Sequence, residues 1–125
     1  MMRRVPDLAD DIVGLIAAGR VSRQDYEAVL IPAVEAAFRK HDRVSIYYQI
    51  GPGFAGFDAG AVLDDAFIGM RHLQQWRRVA VVTDVEWIAH TAKAFAFLMP
   101  GKTRVFGLAD ASAAKTWLSE APVEQ

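Results

Sequence analysis

Val79-Ala80-Val81-Val82-Thr83-Asp84-Val85-Glu86-Trp87-Ile88 is the stretch that decides the fold. Its first four residues are apolar and mostly β-branched, as in a strand buried on both faces. Helical spacing takes over after Asp84, with Trp87, Ile88, Thr91, Phe95 and Leu98 on one stripe. Thr83 and Glu86 fit a capping box, in which the threonine oxygen accepts from the N3 amide and the glutamate reaches back. The segment predicts a strand running into a helix start, where free amides and the macrodipole favour an acidic or anionic group. Thr83, Asp84, Glu86 and Trp87 are its candidate site residues, and none is an activated nucleophile.

The same alternation extends in both directions. Asp11 to Ala17, Arg43 to Ile50 and Lys102 to Phe106 read as further strands, with Arg77 to Thr83 between the last two. Ser22 caps the first helix, whose inner stripe is Tyr26, Val29, Leu30, Val34, Ala37 and Phe38. Pro32 interrupts that stripe and removes a helical hydrogen bond, so a kink or a restart is expected there. Asp58 begins a helix to about Gln75 with Val62, Leu63, Ala66, Phe67, Met70 and Leu73 inward. Val85 to Met99 forms the third helix and Asp110 caps a fourth holding Ala114, Trp117 and Leu118.

Strands alternating with helices predict a mainly parallel, four-stranded sheet in an α/β domain, with room for an extra N-terminal edge strand. In the second strand Val44, Ile46, Tyr48 and Ile50 alternate with Ser45, Tyr47 and Gln49. Alternation suggests helices mostly on one face. Tyr47, Gln49, Arg104 and Phe106, with Val13 or Leu15, would then line an open face suited to a homodimer or a protein partner. The expected core comprises Val81, Val44, Ile46, Tyr26, Val34, Trp87 and Phe95.

Composition narrows the class. A chain of 125 residues, 53% apolar and 23% charged, supports one ordered domain spanning residues 1–125. Its 14 basic and 15 acidic residues leave a net charge of −1, so no global basic field attracts nucleic acid. The absence of cysteine excludes a disulfide frame and suits a cytoplasmic location. Asp7, Asp10 and Asp11 interrupt anything like a signal-peptide core, and no apolar run is long enough to span a membrane.

Side chains for catalysis are sparse. His41, His72 and His90 make no i, i+4 metal pair, and Asp64-Asp65 diverge by about 100° on a helix, so neither metal nor cofactor is expected. Glu86 and His90 share a helix face but read as an ordinary surface pair. Arg71, His72, Arg77 and Arg78 suit the dipole at a helix end. The loop Gly51-Pro52-Gly53-Phe54-Ala55-Gly56-Phe57 lacks the lysine and hydroxyl of a phosphate loop. Its two aromatics, Phe54 and Phe57, admit two readings: one ring folds back as a plug on the core, or both, with Phe67 and Met70 of the following helix, form a mobile lid. Such a lid would cover a small apolar ligand or lipid, or touch a membrane surface.

Taken together, four segments resemble the SpoIIAA-like proteins of the STAS and CRAL-TRIO-type superfamily. They are Gly19-Arg20-Val21-Ser22 with Asp25-Tyr26; Ile50-Gly51-Pro52 with Gly56-Phe57; Arg77 to Trp87; and Phe97-Leu98-Met99-Pro100. The resemblance covers roughly residues 10 to 119 and implies a four-turn β-α superhelix. It also implies a binding or regulatory role, either through protein contacts or, as CRAL-TRIO-type relatives suggest, through an apolar ligand. STAS-type anti-sigma-factor antagonists carry a phosphorylatable serine directly after the aspartate at the third-strand exit. Asp84 matches that aspartate, but Val85 follows it, so the switch does not carry over. The expectation is a non-enzymatic module.

Overall fold

Apolar strands alternating along the chain with helical stripes set up a sheet with helices packed against it. In this computed structural model residues 1–6, 8–51, 53–57, 75–95 and 103–120 are described. The strands are β1 (Met2–Arg4), β2 (Ile12–Ala17), β3 (Arg20–Val21), β4 (Val44–Ile50), β5 (Gly56–Phe57), β6 (Trp76–Thr83) and β7 (Thr103–Phe106). The main sheet has the order β1-β2-β4-β6-β7. β2, β4, β6 and β7 are parallel, and β1 runs antiparallel along β2, so the extra N-terminal edge strand is present. β3 and β5 form a separate two-stranded parallel pair.

Ser22 starts the first helical run with a closed capping box. Its hydroxyl accepts from the Asp25 amide at 3.2 Å, and the Asp25 carboxylate accepts from the Ser22 amide at 2.9 Å. The run passes through α1 (Arg23–Asp25), a π-helical turn (Tyr26–Leu30) and α2 (Ile31–Lys40). The π turn answers the proline. The Ile31 amide donates to the Tyr26 carbonyl, five residues back, and Pro32, which has no amide to donate, falls in the first turn of α2. The helix restarts there, as Pro32 predicts.

The other helices are α3 (Glu86–Phe95) and, after a 3₁₀ turn at Leu108–Asp110, α4 (Ala111–Ser119). The expected 58–75 helix lies outside the described residues except for Gln75, as do Phe67, Met70 and the side chains of Phe57 and Phe95.

The sheet is clad on both faces, which corrects the expectation of helices mostly on one. On the first face Val13, Leu15, Val44, Ile46, Tyr48 and Ile50 pack against Tyr26, Leu30, Val34 and Ala37 of the helical run and Ile88 of α3. On the second, Ile12, Tyr47, Ala80, Val82 and Phe106 pack against Ala114 and Leu118 of α4. Val13 and Leu15 therefore sit on the first face, not the second. The N-terminal segment contributes to the second face as well. Val5 and Leu8 pack so close to Gly14 that a Cβ there would stand 2.4 Å from Leu8 and 2.8 Å from Val5.

Alternation misleads here because its polar members are buried in pairs. Ser45 is fully buried and accepts from Arg77 at 3.2 Å, and Tyr47, also fully buried, donates to the Gln49 side chain at 2.6 Å. Polar groups satisfied in this way line a covered face without large penalty. Burial also pushes the Tyr47 phenol above its ordinary pKa.

Candidate functional site

The carboxyl ends of parallel strands are where α/β sheets usually carry their sites, because loops and helix starts converge there. In this chain that end is formed by Ala17 to Gly19, Gly51, Gly53, Phe54, Thr83 to Val85 and Gly107-Leu108. Thr83 is buried, and its hydroxyl accepts from the Val85 amide at 3.1 Å. The bond reaches two residues on, a threonine turn that redirects the chain from β6 into α3, where the sequence suggests a three-residue box. Asp84 is exposed and its Oδ1 accepts from the Leu108 amide at 3.0 Å. This carboxylate thus ties the end of β6 to the turn that leads into α4.

The 51–57 loop is anchored beside this end by backbone bonds. Gly19 donates to Gly53 at 3.2 Å, Ala55 donates to Gly19 at 2.7 Å and Phe54 donates to Gly51 at 3.2 Å. Gly19 has φ of +59°, a left-handed turn that glycine adopts without strain. Phe54 is half-buried against the first core, and its ring lies 6.0 Å from that of Trp87 at an angle of 38°. Two candidates that the sequence keeps apart, the loop aromatic and the helix-start tryptophan, thus form one aromatic pair.

Trp87 is 54% exposed, which corrects its assignment to the core. The inward positions at the start of α3 go instead to Ile88 and Ala92, four residues apart. Among the described large hydrophobic side chains, Trp87 and Met1 are the exposed ones. Glu86 and His90 are both exposed on α3. No group of three or more potential metal ligands occurs among the described residues.

The four residues assigned to an open interface separate. Tyr47 is fully buried and Phe106 nearly so, both beneath α4, while Gln49 is half-buried and Arg104 exposed. The cause is again α4, which occupies the surface that a partner was expected to cover. The basic pair works at a different helix end from the one its position suggests. Arg77 donates to the Leu118 carbonyl at 2.7 Å and to the Glu120 carbonyl, and Arg78 to the Trp117 carbonyl at 2.5 Å. Both guanidiniums close the C-terminus of α4, about 40 residues away in sequence, a contact that no local pattern signals. Near them a shallow groove of about 400 Å³ is lined by Asp11, Arg43, Arg77 and Glu120, at the opposite end of the strands from the aromatic pair.

These features define a mixed α/β domain with a largely parallel sheet and helices on both faces. The chain belongs to the SpoIIAA-like family, whose model matches residues 12–119. It is similar to the crystal structure of an uncharacterized DUF3478-family protein with a SpoIIAA-like fold from Shewanella loihica PV-4. That similarity has a TM-score of 0.69 at 23% identity, covering 94% of this chain and 93% of that one. No curated protein matches the chain. No helix among the described residues is long and apolar enough to cross a membrane.

Proposed function

We propose that this domain is a non-enzymatic binding or regulatory module, acting through protein contacts made by the aromatic pair at the carboxyl end of its sheet. Membership of the SpoIIAA-like family supports a binding or regulatory role. The observation that carries the finer reading is the exposure of Trp87 beside Phe54. About half of an indole's surface, covered by a partner, is worth about 3 kcal/mol, enough for a central contact in an interface. Val85 stands where a STAS-type regulator carries its phosphorylatable serine, so the contact is constitutive in this respect.

The partner is another protein or a second copy of this chain. Native mass spectrometry and sedimentation of the wild type beside Trp87→Ser, each with partners captured from its own cell extract, test the reading. The expected result is a dimer or a bound partner that the variant loses while it stays folded, its stability lower by no more than about 2 kcal/mol. A variant that keeps every complex refutes the assignment.

The same pair supports a second use, binding of a small apolar ligand or lipid beside Phe54 with peripheral membrane contact, because Phe54 joins the first core to the exposed ring. Fatty-acid and anionic-vesicle binding that persists unchanged in Phe54→Ala removes it.

A further inference from the structure

On the second face of the sheet, three ring–cation contacts gather at the flank where α4 meets β7. The Arg78 guanidinium lies 4.8 Å from the centre of the Trp117 ring. Arg104 lies 5.3 Å from the same ring and 4.8 Å from that of Phe106, and the two rings are 5.9 Å apart. Two like charges on one indole repel, and a nearby anion or acceptor relieves that repulsion. Arg78 is compensated by the Trp117 carbonyl at 2.5 Å and the Glu120 carboxylate at 3.4 Å. Arg104 is exposed, and among the described residues it has neither a carboxylate nor a hydrogen-bond acceptor. Stacking holds its planar fork in place while leaving the N–H edge free, the arrangement that suits bidentate binding of a carboxylate.

β7 is an edge strand whose neighbour, among the described residues, is β6 alone. A charged side chain on an edge strand commonly serves to discourage aggregation. That role needs only a charge in water, whereas this guanidinium is fixed on two rings and paired with a second cation.

We propose that β7 and the adjoining flank of α4 receive an extended acidic segment of a partner protein, which pairs with the β7 backbone and places a carboxylate on Arg104. Charge complementarity at Arg104 and the position of β7 at the sheet edge among the described residues argue for this occupant. Single-stranded nucleic acid fits less well. The rings that would stack on bases already carry guanidiniums, Phe106 is nearly buried, and the chain's net charge of −1 offers no wider field for a polyanion. The surface is separate from the Trp87 site and does not depend on its assignment.

The test uses the full chain and a fluorescein-labelled peptide alternating glutamate with valine, followed by anisotropy. Saturable binding is expected, weakened about tenfold or more by Arg104→Gln and by exchanging the peptide's glutamates for glutamine. Arg104→Lys should restore part of the affinity, and high salt should lower it. Peptide-induced shifts of β7 amides and the Trp117 indole in NMR spectra would place the segment. Arg104 is exposed, so its variants should fold, which circular dichroism checks. The proposal fails if no saturable binding occurs, if Arg104→Gln or the glutamine peptide binds as well as its parent, or if shifts map elsewhere. It also fails if Arg104-dependent binding appears with inorganic phosphate or phosphatidylglycerol vesicles and not with the peptide.

Discussion

Replacing Arg77 with methionine separates two jobs of one side chain, because methionine keeps the aliphatic packing and removes the donors. In the wild type this guanidinium donates to the buried Ser45 hydroxyl at 3.2 Å, to the Leu118 carbonyl at 2.7 Å and to the Glu120 carbonyl. Hydrogen bonds to a charged donor contribute about 1.5–3 kcal/mol each when shielded, and less where water competes, as at Glu120. The charge also opposes the negative end of α4, worth about 0.3–1 kcal/mol. Allowing for the exposed member and for rotation of the Ser45 hydroxyl, the loss should be about 2–4 kcal/mol. In a domain of this size that lowers Tm by about 10 °C. Chemical denaturation of wild type, Arg77→Met, Ser45→Ala and the double variant gives the total and the Arg77–Ser45 coupling together. High salt distinguishes the components, since it screens the dipole contribution more than the shielded bonds. A change below about 0.5 kcal/mol, within the range of ordinary surface substitutions, would refute the view that Arg77 fastens α4 to the sheet.

Trp87→Ala should lower stability by no more than about 2 kcal/mol, below the 3–5 kcal/mol typical of an enclosed aromatic ring, and urea denaturation decides between them. Gly14→Ala should destabilise by about 1–3 kcal/mol, because the added carbon must displace Leu8 and Val5; thermal denaturation measures it, and an unchanged midpoint would mean that the N-terminal segment does not pack there. Asp25 has its pKa lowered below the ordinary 3.8, chiefly by the Ser22 amide and then, against the opposing effect of desolvation, by the Ser22 hydroxyl and the terminal amine. Its contribution is therefore complete above that ordinary value and is lost as pH falls through the lower folded-state pKa. The stability difference between wild type and Asp25→Asn should accordingly be constant near neutrality and shrink in acid, and a difference that grows on acidification would contradict the capping box.

The parts of the fold that were legible in the sequence are those with local causes. Ser22 and Asp25 are three residues apart and form their box within one turn; Pro32 stops a hydrogen bond by its own chemistry; the apolar run of β6 forms a central strand, with Ala80 and Val82 buried and Val79 and Val81 half-buried. The second face was not legible, because Ser45 and Tyr47 look solvent-facing until their partners arrive from Arg77 and Gln49. Trp87 was misread for the converse reason: a large aromatic at helical spacing suggests a core anchor, but Ile88 and Ala92 fill that stripe. At the candidate site, Thr83, Asp84 and Phe54 could be named from sequence, while the contacts Asp84–Leu108 and Phe54–Trp87 span 24 and 33 residues and depend on the assembled sheet. Arg104 was named on the right strand and beside Phe106, over whose ring it lies, but its second ring, Trp117, comes from a helix that covers the face expected to be open.

The closure of the second face by α4 has a consequence for the order in which the molecule is made. Ile12, Tyr47, Ala80, Val82 and Phe106 are all synthesised before Ala111–Ser119, which covers them. At about 5–20 residues per second, the interval between Phe106 and Ser119 lasts on the order of a second. During that interval the first face can already pack on its helices, while the apolar residues of the second that Val5 and Leu8 do not cover remain bare. The nascent domain is then a one-sided sheet, prone to meet another such sheet before its own last helix arrives. Arg77 and Arg78 are already in place on β6 to catch the helix as its final carbonyls form. A nascent chain halted at Asp110 would bind an apolar dye that the finished domain excludes; equal dye binding by both would show that the face is never bare.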